Sequence, residues 1–89
     1  MANANKPVAR VSLYPVTGSI WRNQNPKGIF FSVSFERTFK DNDGKFQSSS
    51  TFNASDLLLV SKVADLCDTK IRELRAAERQ SEQPDEEAA

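Results

Sequence analysis

The sequence predicts an α+β fold, in which a four-stranded antiparallel β-sheet is followed by one long C-terminal α-helix (β-β-β-β-α). Two observations predict it. Residues 8–52 contain stretches in which apolar and polar side chains alternate, separated by turn-forming residues, which is typical of strands with one buried face. Residues 55–79 instead repeat apolar residues every three or four positions, the spacing of one helix face. The length of 89 residues corresponds to one small domain.

The first two strands are predicted over residues 8–14 and 17–23. In the first, Val11 and Leu13 alternate with polar residues, and the Pro-Val-Thr-Gly segment 15–18 that follows is expected to turn. Residues 23–28 are rich in Asn, Pro and Gly and predict the next turn.

The third strand, residues 29–39, has the clearest alternation in the chain. Its odd positions are apolar except at Arg37, and its even positions are mostly polar, so one sheet face is expected to be buried and the other solvated. The segment 41–44, Asp-Asn-Asp-Gly, predicts a hairpin loop. We expect Phe39 to pair with Phe46 across it, which places Phe52 opposite Val33 on the apolar face.

The helix is predicted over residues 55–79, with Ser55 as its N-cap and Asp56 at the positive end of its dipole. Its apolar stripe consists of Leu57, Val60, Ala64, Cys67, Ile71 and Leu74, widened by Leu59, Val63 and Leu66. A stripe this wide suggests that the helix buries more than one side, and we expect a homodimer formed through the helix.

The 12 basic and 12 acidic residues are sorted along the chain. Residues 1–55 carry seven basic and three acidic groups, whereas the last ten residues are acidic with no basic group. We divide the chain into a disordered N-terminus (1–7), one domain (8–79) and a disordered acidic tail (80–89). The tail could compete with a polyanion for the basic half, bind a protein partner, or only increase solubility.

The composition excludes several classes of function. The chain has no His and one Cys, so Ser-His and Cys-His catalysis, His-ligated metals and an intrachain disulfide are all impossible. We expect no enzymatic activity and no metal or other cofactor. No apolar run approaches the length of a membrane span and no apolar signal segment is present, so we expect no membrane association and a soluble, cytoplasmic protein.

Basic and aromatic residues are interspersed along the predicted strands, a mixture that suits single-stranded nucleic acid because phosphates attract cations and unpaired bases stack on aromatic rings. The candidate binding residues are Arg10, Trp21, Arg22, Lys27, Arg37, Lys40, Lys45 and Phe46. The alternative is that these charges are ordinary solvated surface, which is the more common role of such residues. Trp21 faces outward if Ile20 points into the core and is buried in the opposite register, and the general tendency of Trp to be buried favours the core.

Four segments carry a resemblance: Ile-Trp-Arg-Asn at 20–23, Thr-Phe-Lys-Asp-Asn-Asp-Gly at 38–44, Ser-Thr-Phe at 50–52, and the Asp-Leu-Leu segment that begins at Asp56. Together they resemble a group of small, largely uncharacterised bacterial and phage or plasmid-borne proteins. The order of strands and helix is also similar, in topology alone, to the Whirly and positive-cofactor type of single-stranded DNA-binding domain. That resemblance implies a sheet that binds the nucleic-acid strand and helices that pair two subunits, although fold does not fix function.

We therefore expect sequence-tolerant binding of single-stranded nucleic acid, DNA more than RNA, by a homodimer. The alternative is a protein-interaction or accessory module that binds no nucleic acid. Salt dependence separates the two, because phosphate contacts weaken steeply as ionic strength rises.

Overall fold

Four antiparallel β-strands lie side by side in chain order, and one long helix packs on the sheet. The computed structural model describes residues 6–82, with side-chain surroundings described as far as Arg79. The strands are β1 (Ala9–Leu13), β2 (Val16–Asn25), β3 (Gly28–Lys40) and β4 (Phe46–Ser49), and a short 3₁₀ turn (Ala54–Asp56) leads into α1 (Leu57–Glu82). The predicted α+β fold is confirmed. Of the ends predicted to be disordered, residues 1–5 and 83–89 lie outside the described residues.

The turn between β1 and β2 is tighter than predicted. Leu13 pairs with Val16, so only Tyr14 and Pro15 form the turn, and the expected turn at 15–18 is wrong. Gly18 is a strand residue that pairs with Val11 and Phe35, and α1 lies directly over it. A Cβ at this position would be 2.8 Å from the Cys67 Sγ, so only glycine lets the helix approach this closely.

The turn between β2 and β3 is also shorter than the sequence indicates. Asn25 pairs with Gly28, which leaves Pro26 and Lys27 as the turn, and β2 continues two residues past its predicted end at Asn23. The Asn25 side-chain oxygen accepts a hydrogen bond from the Lys27 N–H at 2.9 Å. Gly28 has φ of +133°, a backbone conformation that favours glycine.

The register of β4 differs from the prediction by one residue. Lys40 pairs with Phe46, whereas the sequence pattern paired Phe39 with Phe46. The shift places Phe46 on the face opposite the one that carries Phe31, Val33 and Phe35, and 62% of Phe46 is exposed there. The expected pairing of Phe52 with Val33 is wrong as well, because β4 ends at Ser49 and Phe52 packs against the core from outside the sheet.

Asp41 fixes this register from within the loop. Its Oδ1 accepts hydrogen bonds from the N–H groups of Asp43 at 2.9 Å and Lys45 at 3.0 Å, and its Oδ2 accepts one from the Gln47 amide at 3.0 Å. The hydrogen bonds from Gln47 and then Lys45 lower the pKa of the Asp41 carboxyl. The backbone N–H of Asp41 donates to the Lys45 carbonyl at 2.8 Å, which places the two residues opposite each other.

The helix begins differently from the prediction. Asn53, and not Ser55, precedes the first helical turn, and its N–H donates to the Asp56 carboxylate at 3.2 Å while the Asp56 N–H donates to the Asn53 carbonyl at 2.9 Å. This reciprocal pair satisfies groups that a helix start leaves free. The helix then continues to Glu82, three residues past its predicted end. Within residues 6–82, no helix combines the length and apolar character needed to span a membrane.

The core lies where α1 crosses β1 and β2. Its fully buried hydrophobic residues are Val16 and Ile20 of β2 and Val63 and Cys67 of α1. We call the sheet face that carries this core the inner face and the opposite one the outer face. The helix packs chiefly on β2 and β1 and contacts β3 little, so it covers less of the inner face over β3 and β4.

The apolar stripe of α1 is only partly as predicted. Val60, Ile71 and Leu74 pack against the core as expected. Leu57, which was assigned to the stripe, is 58% exposed, and Ala64 is exposed too. The buried side of the helix is thus narrower than the sequence pattern indicates.

Candidate functional site

The centre of the outer face is an ordered polar surface around Trp21. Ile20 is fully buried on the inner face, so its neighbour Trp21 points outward, and the interpretation of Trp21 as a core residue is wrong. The indole Nε1 donates a hydrogen bond to the Ser34 Oγ at 3.0 Å. The Asn23 amide donates to the Ser32 Oγ, also at 3.0 Å. The ring is therefore half-buried and held in one orientation on the exposed face.

Two further aromatic side chains extend this surface towards both ends of β3. Phe30, 47% exposed, pairs with Asn23 near the β2–β3 turn. Phe46, at the other end, lies opposite Lys40, whose Nζ is 5.3 Å from the centre of the Phe46 ring. Ten residues of β3 separate Phe30 from Lys40, a span of about 33 Å at the rise of an extended strand. We call Trp21, Phe30 and Phe46 the aromatic row.

Cations are fewer on the outer face than the sequence predicts. Arg10 lies there on β1, Lys40 lies there at the end of β3, and exposed Lys45 stands in the loop next to Phe46. Glu36 lies on the same face and offsets part of their charge. Hydroxyl groups are plentiful, and the Ser12 and Thr17 hydroxyls are hydrogen-bonded to each other at 3.0 Å.

Arg37 lies on the inner face, away from the aromatic row. Its Nε donates to the Thr51 carbonyl at 2.9 Å, and its guanidinium lies 5.0 Å from the centre of the Phe39 ring. These contacts attach the segment after β4 to the sheet. The fold thus gives Arg37 a structural task that the strand pattern does not indicate.

Arg22 and Lys27 are also separated from the outer face. Arg22 points to the helix side, where its Nε lies 2.7 Å from the Glu78 carboxylate. This hydrogen bond raises the pKa of Arg22 and lowers the pKa of Glu78. Lys27 occupies the β2–β3 turn and is exposed.

A groove opens between the β2–β3 hairpin and the last turns of α1. We call it the hairpin groove; its volume is about 530 Å³. It is lined by Arg22, Gln24, Lys27, Gly28, Ile29, Phe31, Arg75, Glu78 and Arg79. Strand-by-strand reasoning overlooked Arg75 and Arg79, because they come from a helix some fifty residues further along. Their spacing of four residues, which puts them on one helix face, was the available signal.

The structure therefore divides the eight predicted residues into three sets. The outer face and its adjoining loop hold Arg10, Trp21, Lys40, Lys45 and Phe46; the hairpin groove, on the helix side, holds Arg22 and Lys27; Arg37 lies on the inner face but outside the groove.

Two features bear on a nucleophilic thiol and on metal binding among the described residues. Cys67 is buried, and its burial raises the pKa of the thiol, which disfavours the reactive thiolate. Among residues 6–82, no three side chains of metal-binding type come together. Comparisons with protein-family models, curated proteins and solved structures found no match to this chain.

Proposed function

We propose that the chain is a non-enzymatic binding protein that holds single-stranded nucleic acid, DNA in preference to RNA, on the outer face of its sheet, with little regard to base sequence. The observation that carries the proposal is the position of Trp21. A large aromatic ring is held by a hydrogen bond on the exposed face, with an exposed aromatic ring towards each end of the sheet.

Stacking would supply much of the affinity. A base stacked on an aromatic side chain contributes about 1 to 3 kcal/mol, and every base can stack, so this term is tolerant of sequence. Arg10, Lys40 and Lys45 would contact phosphates, and the hydroxyls between the rings would bond phosphate and sugar oxygens without reading bases. A duplex fits this surface less well because its bases are already stacked within the helix.

The proposal includes a homodimer. The helix leaves the inner face over β3 and β4 less covered, and Phe39 is half-buried there without packing against the core. A second copy that covers this area with its own helix would bury apolar surface on both subunits. Sedimentation equilibrium of the full chain tests this: we expect twice the monomer mass, and a monomer at micromolar concentration would contradict it.

A cytoplasmic location goes with this proposal, because the lone thiol of Cys67 has no disulfide partner and suits a reducing compartment.

The experiment is a titration with (dT)12 and with a 12-base-pair duplex at 50 and 200 mM salt. Fluorescence of the sole tryptophan should be quenched by the single strand, and the affinity should fall steeply as salt rises. Anisotropy of a labelled oligonucleotide then compares variants. Trp21→Leu should weaken binding about 5- to 150-fold, the equivalent of one lost stack.

Leu58→Ala is the matched control, since Leu58 is a large apolar residue, 84% exposed, on the helix. It should leave the affinity unchanged. Equal affinity of wild type and Trp21→Leu would refute the role of the outer face.

The alternative is a protein-interaction module, and exposed Leu57 and Leu58 at the start of α1 favour it. Large exposed apolar side chains that lie next to each other often mark a protein interface. Failure of both oligonucleotides to bind at 50 mM salt would favour this alternative. The predicted acidic tail, residues 80–89, is a further candidate for contact with a protein partner; its residues 80–82 belong to α1, and residues 83–89 lie outside the described residues.

A further inference from the structure

The hairpin groove gathers positive charge from three separate parts of the chain. Arg22 comes from β2, Lys27 from the β2–β3 turn, and Arg75 and Arg79 from two successive turns of α1. Glu78 is the one acidic residue that lines the groove, so the lining carries three net positive charges. The outer face, where Glu36 offsets part of the charge, has a smaller excess.

Among the side chains of residues 6–79, Glu78 is the one carboxylate in the groove that offsets this excess. Glu78 is engaged by the Arg22 guanidinium at 2.7 Å, and the other salt bridges of residues 6–79 involve Lys62, Lys70 and Arg72. Like charges four residues apart on a helix repel each other, and folding adds two more cations from the hairpin. A bound anion would relieve this repulsion, and guanidinium groups are well suited to bind phosphate.

The groove adjoins the end of the aromatic row. Phe30 is the last ring of the row before the β2–β3 turn, and Lys27 within that turn lines the groove on the other side. A nucleic-acid strand that passes over Trp21 and Phe30 would reach the groove where it bends round the β2–β3 turn. Ile29 and Phe31 line the groove as well and offer an apolar surface to a sugar or a base.

We propose that the hairpin groove binds the phosphate backbone of the single strand where it leaves the outer face, with Lys27, Arg75 and Arg79 as the phosphate ligands. The inference rests on the proposed function. It also accounts for the small number of cations on the outer face, since much of the phosphate binding takes place round the turn.

The test measures (dT)18 binding by the full chain, with labelled oligonucleotide, between 50 and 400 mM salt. Arg75→Ala with Arg79→Ala removes two phosphate contacts, each of which contributes about 0.7 to the slope of log affinity against log salt for a single strand. The slope should become shallower by about 1.4. The affinity should fall about tenfold at 0.2 M salt and about 60-fold at 0.05 M.

Lys70→Ala with Arg72→Ala is the matched control. It removes the same charge from the same helix, but both residues are in ion pairs with acidic neighbours on α1 and neither lines the groove. We expect its affinity and slope to equal those of wild type.

Glu78→Gln should have the opposite sign. It removes the acidic residue of the groove and frees Arg22, so affinity should rise and the salt slope should steepen by up to about 0.7. Circular dichroism establishes that each variant is folded before binding is compared.

The outcomes separate this inference from the proposed function. If Trp21→Leu weakens binding but the Arg75 and Arg79 double variant does not, or if the Lys70 and Arg72 control weakens it equally, the groove inference is refuted and the outer face stands. If wild type binds no oligonucleotide, both are refuted.

Discussion

Gly18→Ala is a stringent test of how closely the helix packs on the sheet. An alanine Cβ at this position would lie 2.8 Å from the Cys67 Sγ, 2.9 Å from the Val63 Cγ1 and 3.4 Å from the Phe35 Cε1. The first two distances are far below ordinary van der Waals contact. Val63 and Cys67 are fully buried, so neither side chain can rotate into solvent, and the helix itself must shift.

The expected cost follows from the balance of two effects. Overpacking a core by one methyl group costs about 1 to 3 kcal/mol. Replacing glycine by alanine restricts the unfolded chain and returns about 0.4 to 1 kcal/mol. The difference between these two effects spans about 0 to 2.6 kcal/mol. Because the two shortest distances lie below 3.0 Å, we expect Gly18→Ala to fall in the upper part of this range and to lower the free energy of unfolding by about 1 to 2.6 kcal/mol, out of the about 4 to 13 kcal/mol expected for a chain of this length.

A double-mutant cycle with Cys67→Ala identifies the contact responsible. Cys67→Ala removes the nearest atom, and by itself costs about 1 kcal/mol for the lost sulfur and the cavity. In the double variant the new methyl group occupies that space. The losses of unfolding free energy of the two single variants should therefore add up to at least about 0.5 kcal/mol more than the loss measured for the double variant. Urea unfolding followed by Trp21 fluorescence at one fixed protein concentration measures all four proteins.

Gly44→Ala is the control for the cycle. Gly44 has φ of +81°, and a Cβ added to it would have no atom within 4 Å, so alanine there is strained but touches nothing in the core. Its effect should add to that of Cys67→Ala without coupling. A neutral or stabilising Gly18→Ala, or strict additivity of Gly18→Ala with Cys67→Ala, would refute this close packing of helix on sheet.

Two other predictions concern single carboxylates. Because the hydrogen bond from Arg22 lowers the pKa of Glu78, its contribution to stability is complete above the ordinary value of 4.5 and is lost as pH falls through the folded-state pKa. Glu78→Gln should thus be less stable than wild type at pH 7, and the difference in urea midpoint should shrink as the pH falls below 4.5; a difference independent of pH would contradict the ion pair. Asp41→Ala should speed hydrogen exchange of the Lys45 amide, whose hydrogen bond Asp41 accepts at 3.0 Å, whereas Asp43→Ala should not, as measured by NMR.

Local pattern was sufficient wherever one face of an element is continuously buried. The alternation of Ile29, Phe31, Val33 and Phe35 predicted both the third strand and its inner side, because period-two burial has no other regular explanation. The loop at 41–44 and the existence of the helix followed from equally local signals. Each of these depends on residues close together in the chain.

The alternation of apolar and polar residues failed where a particular side-chain contact decides. The sequence cannot show that the Asp41 carboxylate fixes the β4 register, and a shift of one residue moved Phe46 to the other face. Glycine is typical of turns, yet Gly18 lies within a strand and allows α1 to pack closely on the sheet. The face on which Trp21 lies depends on the burial of Ile20, which alternation alone leaves open.

The candidate site shows the same division. The sequence by itself determined which residue types are available: one tryptophan, interspersed cations and aromatics, and no histidine. Only the tertiary structure decided which of them act together, because it placed Arg22 beside Glu78, Arg37 against Thr51, and Arg75 and Arg79 beside the β2–β3 hairpin. The physical reason is that a binding surface is a property of positions in space, and contacts between a strand and a helix fifty residues away leave no periodic trace in the chain.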